Sequence, residues 1–183
     1  MKKFFPMILM FSFFCLFLIG QILYEKVNIK AGVTTSEIER NQSYNYSFKS
    51  LTKHLHGDSS YQDAPIVILN FWASWCVPCL AEFDSLKNLE TQFNANELFI
   101  IGINNDEKET LFHAQKTLDK FNITWPQIYD FKGTVSSEFF VEMIPYSIIF
   151  VYGSVYEVAK GIKDFSDPHF ILELKEILSA QNK

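Results

Sequence analysis

The sequence lacks any cluster of lysine or arginine residues. Its 183 residues carry a formal net charge of −5, and the part after residue 24 contains 14 basic and 21 acidic residues, a formal charge of −7. Binding to the phosphates of a nucleic acid needs concentrated positive charge. The acidic body of this chain therefore argues against nucleic acid as a partner.

Length and composition exclude two further classes. A chain of 183 residues is too short for a multidomain enzyme with separate cofactor and substrate lobes, since one domain usually takes about 100–200 residues. Hydrophobic residues make up 48% and charged residues 20% of the chain, so a disordered or low-complexity protein is also excluded. We expect one folded domain over residues 46–183, preceded by a polar linker over residues 25–45.

Charge is also absent from the N-terminal segment Phe4–Tyr24. A helix of about 20 apolar residues spans the hydrocarbon core of a bilayer. Lys2 and Lys3 precede the segment, and by the positive-inside tendency they place the short tail in the cytoplasm and residues 25–183 outside. We therefore predict a membrane anchor over residues 1–24 and a single-pass protein with a periplasmic body.

A cleaved signal peptide is the alternative interpretation of this segment. Signal peptides have an apolar core of about 7–15 residues and a cleavage site of the A-x-A type. The core here is longer, and Leu18-Ile19-Gly20 matches such a site poorly. The uncleaved anchor is preferred, and secretion to the periplasm after cleavage stays open.

Strand patterns and helix patterns alternate along the body of the chain. Apolar, β-branched runs predict strands, and they lie at residues 66–72, 98–103, 147–152 and 155–159, with a short edge segment at 125–131 and a short strand with a helical turn within 47–55. Helices are predicted after Cys76, from a capping box formed by Asp106 and Glu109, and from Asp167-Pro168. This order predicts an α/β fold with a mixed central sheet and helices on both faces.

A C-x-x-C motif lies where the first buried strand meets the first helix of the body. Unpaired N–H groups and the helix dipole favour an anion at a helix N-terminus, so Cys76 becomes the better thiolate. Cys79, three residues on, lies within one turn and can attack a mixed disulfide on Cys76. Pro78 lacks an N–H, which is harmless in the first turn.

Two structural interpretations of the cysteine pair compete with a redox role. A zinc site normally needs four ligands, but the body has only these two cysteines and no histidine pair at ligand spacing. A purely structural disulfide across two residues would close a tiny loop with little entropic benefit. The redox interpretation is therefore preferred, with no metal and no organic cofactor.

The segment Asn70–Glu82 resembles the thioredoxin superfamily, and within it the membrane-anchored thiol–disulfide oxidoreductases of the TlpA/ResA/CcmG group. Asn70 stands where cytoplasmic thioredoxins carry a buried Asp, and Glu82 matches the acidic residue that follows the second Cys in the anchored group. Met143-Ile144-Pro145-Tyr146 resembles the cis-proline loop of the family, although a Gly is common at the position of Met143. The resemblance implies a thioredoxin-like three-layer sandwich.

The resemblance also implies roles for individual residues. Cys76 and Cys79 form the redox disulfide, Pro145 is the cis-proline, and Glu82 relays the proton of the second thiol. We expect Glu82 at a surface-facing helix position, so that its replacement hardly changes stability; the alternative is an ordinary solvated helix residue without a catalytic role. The expected substrate-binding residues lie within or next to the C-x-x-C motif and before the cis-proline: they are Trp75, Val77, Pro78 and Ile144.

The leading functional hypothesis is an extracytoplasmic oxidoreductase that reduces protein disulfides. Its partners would be protein thiol and disulfide substrates and an upstream membrane electron donor, and relatives that serve cytochrome c maturation make that process a candidate role. One alternative is a peroxide-reducing redoxin, which Ala73 opposes because it stands where peroxiredoxins carry Thr. The other is a non-catalytic anchored binding module.

Overall fold

The computed structural model describes residues 13–21 and 35–181. The chain divides into two compact units between Gln42 and Ser43. In the first unit, residues 13–21 form helix α1, and the rest of the predicted anchor lies outside the described residues, as do residues 25–34 of the predicted linker. Across the described parts of the chain, no helix is both long and apolar enough to cross a membrane.

Five further helices and five strands follow α1 in the described chain. The helices are α2 (Thr35–Ser50), α3 (Val77–Thr91), α4 (Leu111–Phe121), α5 (Thr134–Glu138) and α6 (Pro168–Gln181). The strands are β1 (Ile66–Trp72), β2 (Leu98–Asn104), β3 (Gln127–Tyr129), β4 (Tyr146–Val151) and β5 (Ser154–Lys160). They form one sheet in the order β3-β2-β1-β4-β5.

The sheet is mixed, as the sequence predicts. β1 is parallel to β2 and β2 to β3, whereas β4 is antiparallel to both β1 and β5. All seven residues of the central strand β1 are buried. Because side chains alternate across a strand, Ile66 and Ile68 join one core, and Val67 and Leu69 join the other. The uninterrupted apolar run of β1 therefore reflects burial on both faces.

Helices supply the outer layers on each face of the sheet. Buried residues of α3, α4 and α6 belong to the core that contains Ile66, and buried residues of α2 and α5 belong to the core that contains Val67. The N-terminus of α6 follows its prediction, since Asp167 accepts a hydrogen bond from the backbone N–H of His169 at 2.8 Å and Pro168 is the first helical residue.

The short strand predicted within residues 47–55 is wrong. Helix α2 continues to Ser50 and is followed by a 3-10 turn at Leu51–Lys53. The side chains of Tyr44, Phe48 and Leu51 are all buried against one face of the sheet. Their spacing of four and three is helical, and Tyr46 and Lys49 between them are exposed.

Phe48 is the main aromatic contact between α2 and the sheet. Its ring stacks on Phe150 of β4 with 4.3 Å between centroids and meets Tyr61 edge-on at 5.2 Å. Close to it, the hydroxyl of Tyr44 lies 2.8 Å from that of Tyr146, the first residue of β4. The C-terminal part of α2 is thereby part of the folded domain.

We expect Phe48→Ala to lower the free energy of unfolding of the full-length chain by about 3–5 kcal/mol, because it removes a buried ring and leaves a cavity. The matched control is Tyr46→Ala on the same helix, whose ring is 77% exposed and whose loss should change stability by less than about 0.5 kcal/mol. Urea unfolding of both variants measures the difference. Equal midpoints would contradict the packing of α2 described here.

Candidate active site

The C-x-x-C motif lies in the turn between β1 and α3. Cys76 is the N-cap of α3, and its Sγ accepts a hydrogen bond from the backbone N–H of Cys79 at 3.3 Å. The backbone N–H of Cys76 donates to the carbonyl of Ala73 at 3.1 Å, which closes the turn before the helix. Cys76 and Cys79 are joined by a disulfide, with their Cα atoms 5.3 Å apart.

This geometry favours a negative charge on Cys76 after reduction. An N-cap sulfur faces the unpaired N–H groups of the first helical turn and the positive end of the helix dipole. A thiolate at such a position is stabilised, so its pKa falls below that of a free cysteine. Cys79 lies inside the helix and has no such advantage.

The disulfide is nearly buried beneath an exposed rim. Cys79 is fully buried and Cys76 is 4% exposed. By contrast, Trp75 is 67% exposed and Val77 75% exposed, and Pro78 is exposed beside them. These three residues, which the sequence predicts to bind substrate, therefore form the outer surface around the sulfur atoms.

The cis-proline loop lies at the same end of the sheet. The Ile144–Pro145 peptide bond is cis, as the family resemblance implied. The next residue, Tyr146, pairs with Phe71 near the end of β1, which brings the loop beside the turn that carries Cys76. Trp75 and Ile144 line a common groove of about 390 Å³. Its other lining residues are Asn105, Ser136, Val141, Glu142 and Met143.

Glu82 lies inside the protein, one helical turn after Cys79. Its side chain is 1% exposed, so the expectation of a solvated, surface-facing position is wrong. Its carboxylate accepts hydrogen bonds from the amide of Asn70 at 3.2 Å and from the backbone N–H of Lys163 at 2.7 Å. Burial raises the pKa of Glu82 from its ordinary value of 4.5 to about 7, against the opposing effect of the two hydrogen bonds and the Lys163 charge.

Asn70 connects Glu82 to the sheet. It is fully buried at the centre of β1, and its Nδ2 donates to Glu82 and to the hydroxyl of Ser147 on β4, the latter at 3.0 Å. Its Oδ1 is buried without a hydrogen-bond partner among the described residues. The neutral amide of Asn70 thus lies in the middle of β1, and the buried carboxyl group beside it is that of Glu82 on α3.

Asp106 belongs to the site, although the sequence assigned it to a capping box with Glu109. That assignment is wrong, because a 3-10 turn at Lys108–Thr110 precedes α4 and Thr110 is the N-cap of α4. Asp106 instead accepts hydrogen bonds from the backbone N–H and the hydroxyl of Ser74, two residues before Cys76. Asp106 lies two residues beyond the end of β2, which pairs with β1, and the sequence pattern around it gave no indication of this contact.

No group of three or more His, Cys, Asp or Glu side chains suited to a metal ion occurs within residues 13–21 and 35–181. The described residues bring the cysteine pair together with groups that bear on its chemistry. The arrangement supplies a favoured thiolate, a second sulfur within bonding reach, and a buried carboxyl one turn further along the same helix.

Known proteins resemble this chain in sequence and in structure. It is 30% identical over 114 residues to the thioredoxin-like protein YneN of Bacillus subtilis (strain 168), covering 61% of this chain and 64% of that protein. It is 28% identical over 109 residues to the thiol-disulfide oxidoreductase ResA of the same strain, covering 59% and 60%. The chain thus spans less than two thirds of the length of these two relatives.

A solved structure supports the same fold. A DsbF homologue from Corynebacterium diphtheriae superposes with a TM-score of 0.53 at 25% identity, covering 63% of this chain and 74% of that one. The mixed five-stranded sheet is accordingly that of a thioredoxin-like α/β fold. The model of the AhpC/TSA family matches residues 47–159, which is more than half of the chain and includes both cysteines, Glu82 and the cis-proline. The chain therefore belongs to the AhpC/TSA family.

Proposed function

We propose that this protein is a thiol–disulfide oxidoreductase that reduces disulfides in protein substrates through Cys76 and Cys79. The observation that carries the proposal is the sulfur of Cys76 at the N-cap of α3, hydrogen-bonded to the backbone N–H of Cys79. The preceding residue, Trp75, lines the groove that also contains Ile144. The similarity to ResA, a thiol-disulfide oxidoreductase, supports the same activity.

In the proposed reaction the reduced pair transfers two electrons to the substrate. The thiolate of Cys76 attacks one sulfur of the substrate disulfide, forms a mixed disulfide and releases the other sulfur as a thiolate. Cys79 then loses its proton and attacks the sulfur of Cys76. The Cys76–Cys79 disulfide forms, the second substrate thiolate leaves, and an upstream thiol donor must reduce the pair again.

Glu82 accepts the proton of Cys79 in this scheme. The two residues lie three apart on α3, hence on the same side of the helix, and both side chains are buried. Because its pKa lies at about 7, the carboxyl can take up and release a proton near neutral pH. A carboxylate at its ordinary pKa would be a weaker base at that pH.

The substrate lies against the rim formed by Trp75, Val77, Pro78 and Ile144. Trp75 directly precedes Cys76 in the sequence, and Val77 and Pro78 lie between the two cysteines. Ile144 precedes the cis-proline. A polypeptide can cover this apolar surface while its own disulfide approaches Cys76. Pro145 shapes the loop that faces the incoming segment.

The body acts outside the cytoplasmic membrane, with residues 1–24 as anchor, followed by a linker that ends before Tyr44, whose side chain is buried in the core of the thioredoxin-like domain. The charge-free stretch after Lys2 and Lys3 supports this arrangement. In that compartment the electrons must come from a membrane donor, and apocytochrome c disulfides are candidate substrates.

Trapping tests the catalytic proposal. Full-length Cys79→Ser, reduced and mixed with an oxidised polypeptide that has one disulfide, should accumulate a mixed disulfide on Cys76, because the resolving thiol is missing. Cys76→Ser is the matched control and should trap nothing. Mass spectrometry of the adduct locates the linked cysteine.

An adduct on Cys79 in the control, or no adduct in either variant, would refute the assignment of Cys76 as the attacking residue. Consumption of hydrogen peroxide without exchange of polypeptide disulfides would favour the redoxin alternative.

Glu82→Gln should change two pH profiles. In the parent, the raised pKa makes the free energy of unfolding fall as pH rises from about 4.5 to about 7, by about 3 kcal/mol in all, because the ionised carboxyl is buried. Gln cannot ionise, so urea unfolding of the variant should lack this fall. The disulfide-exchange rate at pH 7.5 should drop by about 100-fold as the base is lost. Exchange rates equal to those of the parent at every pH would leave Glu82 without a catalytic role.

Fractionation tests the proposed anchor. The full-length chain should sediment with membranes and be released by detergent but not by high salt, because about 20 apolar residues hold it in the bilayer. A chain lacking residues 1–24 is the control and should remain soluble. A soluble extracytoplasmic product without the N-terminal segment would show instead that a signal peptide is cleaved.

A further inference from the structure

A buried carboxylate connects the turn that carries Cys76 to the end of strand β2. The Oδ2 of Asp106 accepts the backbone N–H of Ser74 at 2.8 Å, and its Oδ1 accepts the hydroxyl of the same residue at 2.6 Å. Both hydrogen bonds reach across 32 positions of sequence to a residue two before Cys76. Asp106 is 1% exposed, so water does not compete for these bonds.

The carboxylate of Asp106 is also held in place by Asn104, the last residue of β2. The side-chain amide of Asn104, a fully buried residue, donates to its Oδ2 at 2.7 Å, and the Oδ1 of Asn104 accepts the backbone N–H of Asp106 at 3.3 Å. The next residue, Asn105, donates its backbone N–H to the carbonyl of Trp72 at 2.8 Å. The ends of the two central strands are thus joined immediately before the redox turn.

We propose that Asp106 is a positioning residue for Cys76, an inference that rests on the proposed disulfide exchange. Ser74 belongs to the turn that the Cys76-to-Ala73 hydrogen bond closes, so holding Ser74 holds the N-cap sulfur over the first turn of α3. Without Asp106 the turn is free to move, and the sulfur loses the N–H groups that stabilise its thiolate. The pKa of Cys76 then rises and its attack slows.

A purely structural role for Asp106 predicts something different. Removing a buried, hydrogen-bonded carboxylate would then lower stability but leave the pKa of Cys76 unchanged. The pH dependence of alkylation of Cys76 in the reduced protein separates the two, since the rate follows the thiolate fraction. The equilibrium of the cysteine pair with glutathione is a second readout, because a less stable thiolate makes the pair harder to reduce.

Three variants of the full-length chain test the proposal. Asp106→Ala removes the acceptor, and we expect alkylation of Cys76 at pH 6 to slow about tenfold, as for a rise of about one in pKa. Asp106→Asn should restore most of the loss, because its Oδ1 can accept from Ser74 N–H and Asn104 while its amide donates to the Ser74 hydroxyl. Glu107→Ala removes an exposed charge one position away and should behave like the parent.

Each remaining outcome counts against the proposal. An unchanged pKa of Cys76 in folded Asp106→Ala would show that Asp106 has only a structural role. If alkylation of Cys76 slows as much in Asp106→Asn as in Asp106→Ala, the charge of Asp106 matters and its hydrogen bonds do not. If Asp106→Ala does not fold, Ser74→Ala, which removes one of the hydrogen bonds, must raise the pKa of Cys76 by a smaller amount or the proposal fails. Because alkylation needs no substrate, a parent that exchanges no protein disulfide would refute the proposed function alone.

Discussion

A sulfur atom occupies the N-cap position of α3, where most helices place a hydroxyl or carboxylate oxygen. The hydrogen bond from Cys79 N–H to Cys76 Sγ joins the backbone of the helix to the reactive atom, so the chemistry depends on where the turn before the helix lies. That turn starts from the end of β1, the most deeply buried strand of the sheet. The packing of β1 between two cores is therefore the structural basis of the reactivity proposed for Cys76.

Two buried carboxyl groups flank this turn with different sets of partners. Asp106 accepts three hydrogen bonds from Ser74 and Asn104, whereas Glu82 accepts two, from Asn70 and Lys163. Burial raises the pKa of Glu82 to about 7, which suits a group that exchanges a proton. Asp106 is fixed on both oxygens and points into the turn, which suits a group that holds geometry. Under the two proposals, local hydrogen bonding therefore assigns different roles to two buried carboxyl groups.

Local patterns in the sequence were sufficient to locate the five strands of the sheet and the redox motif, although they also predicted a strand within residues 47–55, where the chain is helical. β1 and the turn into α3 are encoded by a continuous apolar run and a C-x-x-C that follow each other directly. Partners distant in sequence were not predictable in this way. Asp106 and Glu109 have the spacing of a capping box, and nothing within four residues of Asp106 shows that its acceptor oxygens reach Ser74. The burial of Glu82 likewise depends on Asn70 and on the loop at Lys163, which the spacing along α3 does not show.

The distribution of exposure around the disulfide bears on how a substrate is selected. The two sulfur-bearing residues are almost wholly buried, while Trp75, Val77 and Met143 expose most of their apolar side chains to solvent. Under the proposed exchange, a substrate disulfide reaches Cys76 only by lying against these side chains, and the apolar area that it covers adds to affinity. Met143 stands where the related loop commonly has Gly, so the groove beside Trp75 has an apolar wall that a glycine would not provide. Selectivity among disulfides would then come from this wall and the Trp75 ring, while the cysteine pair determines the redox chemistry.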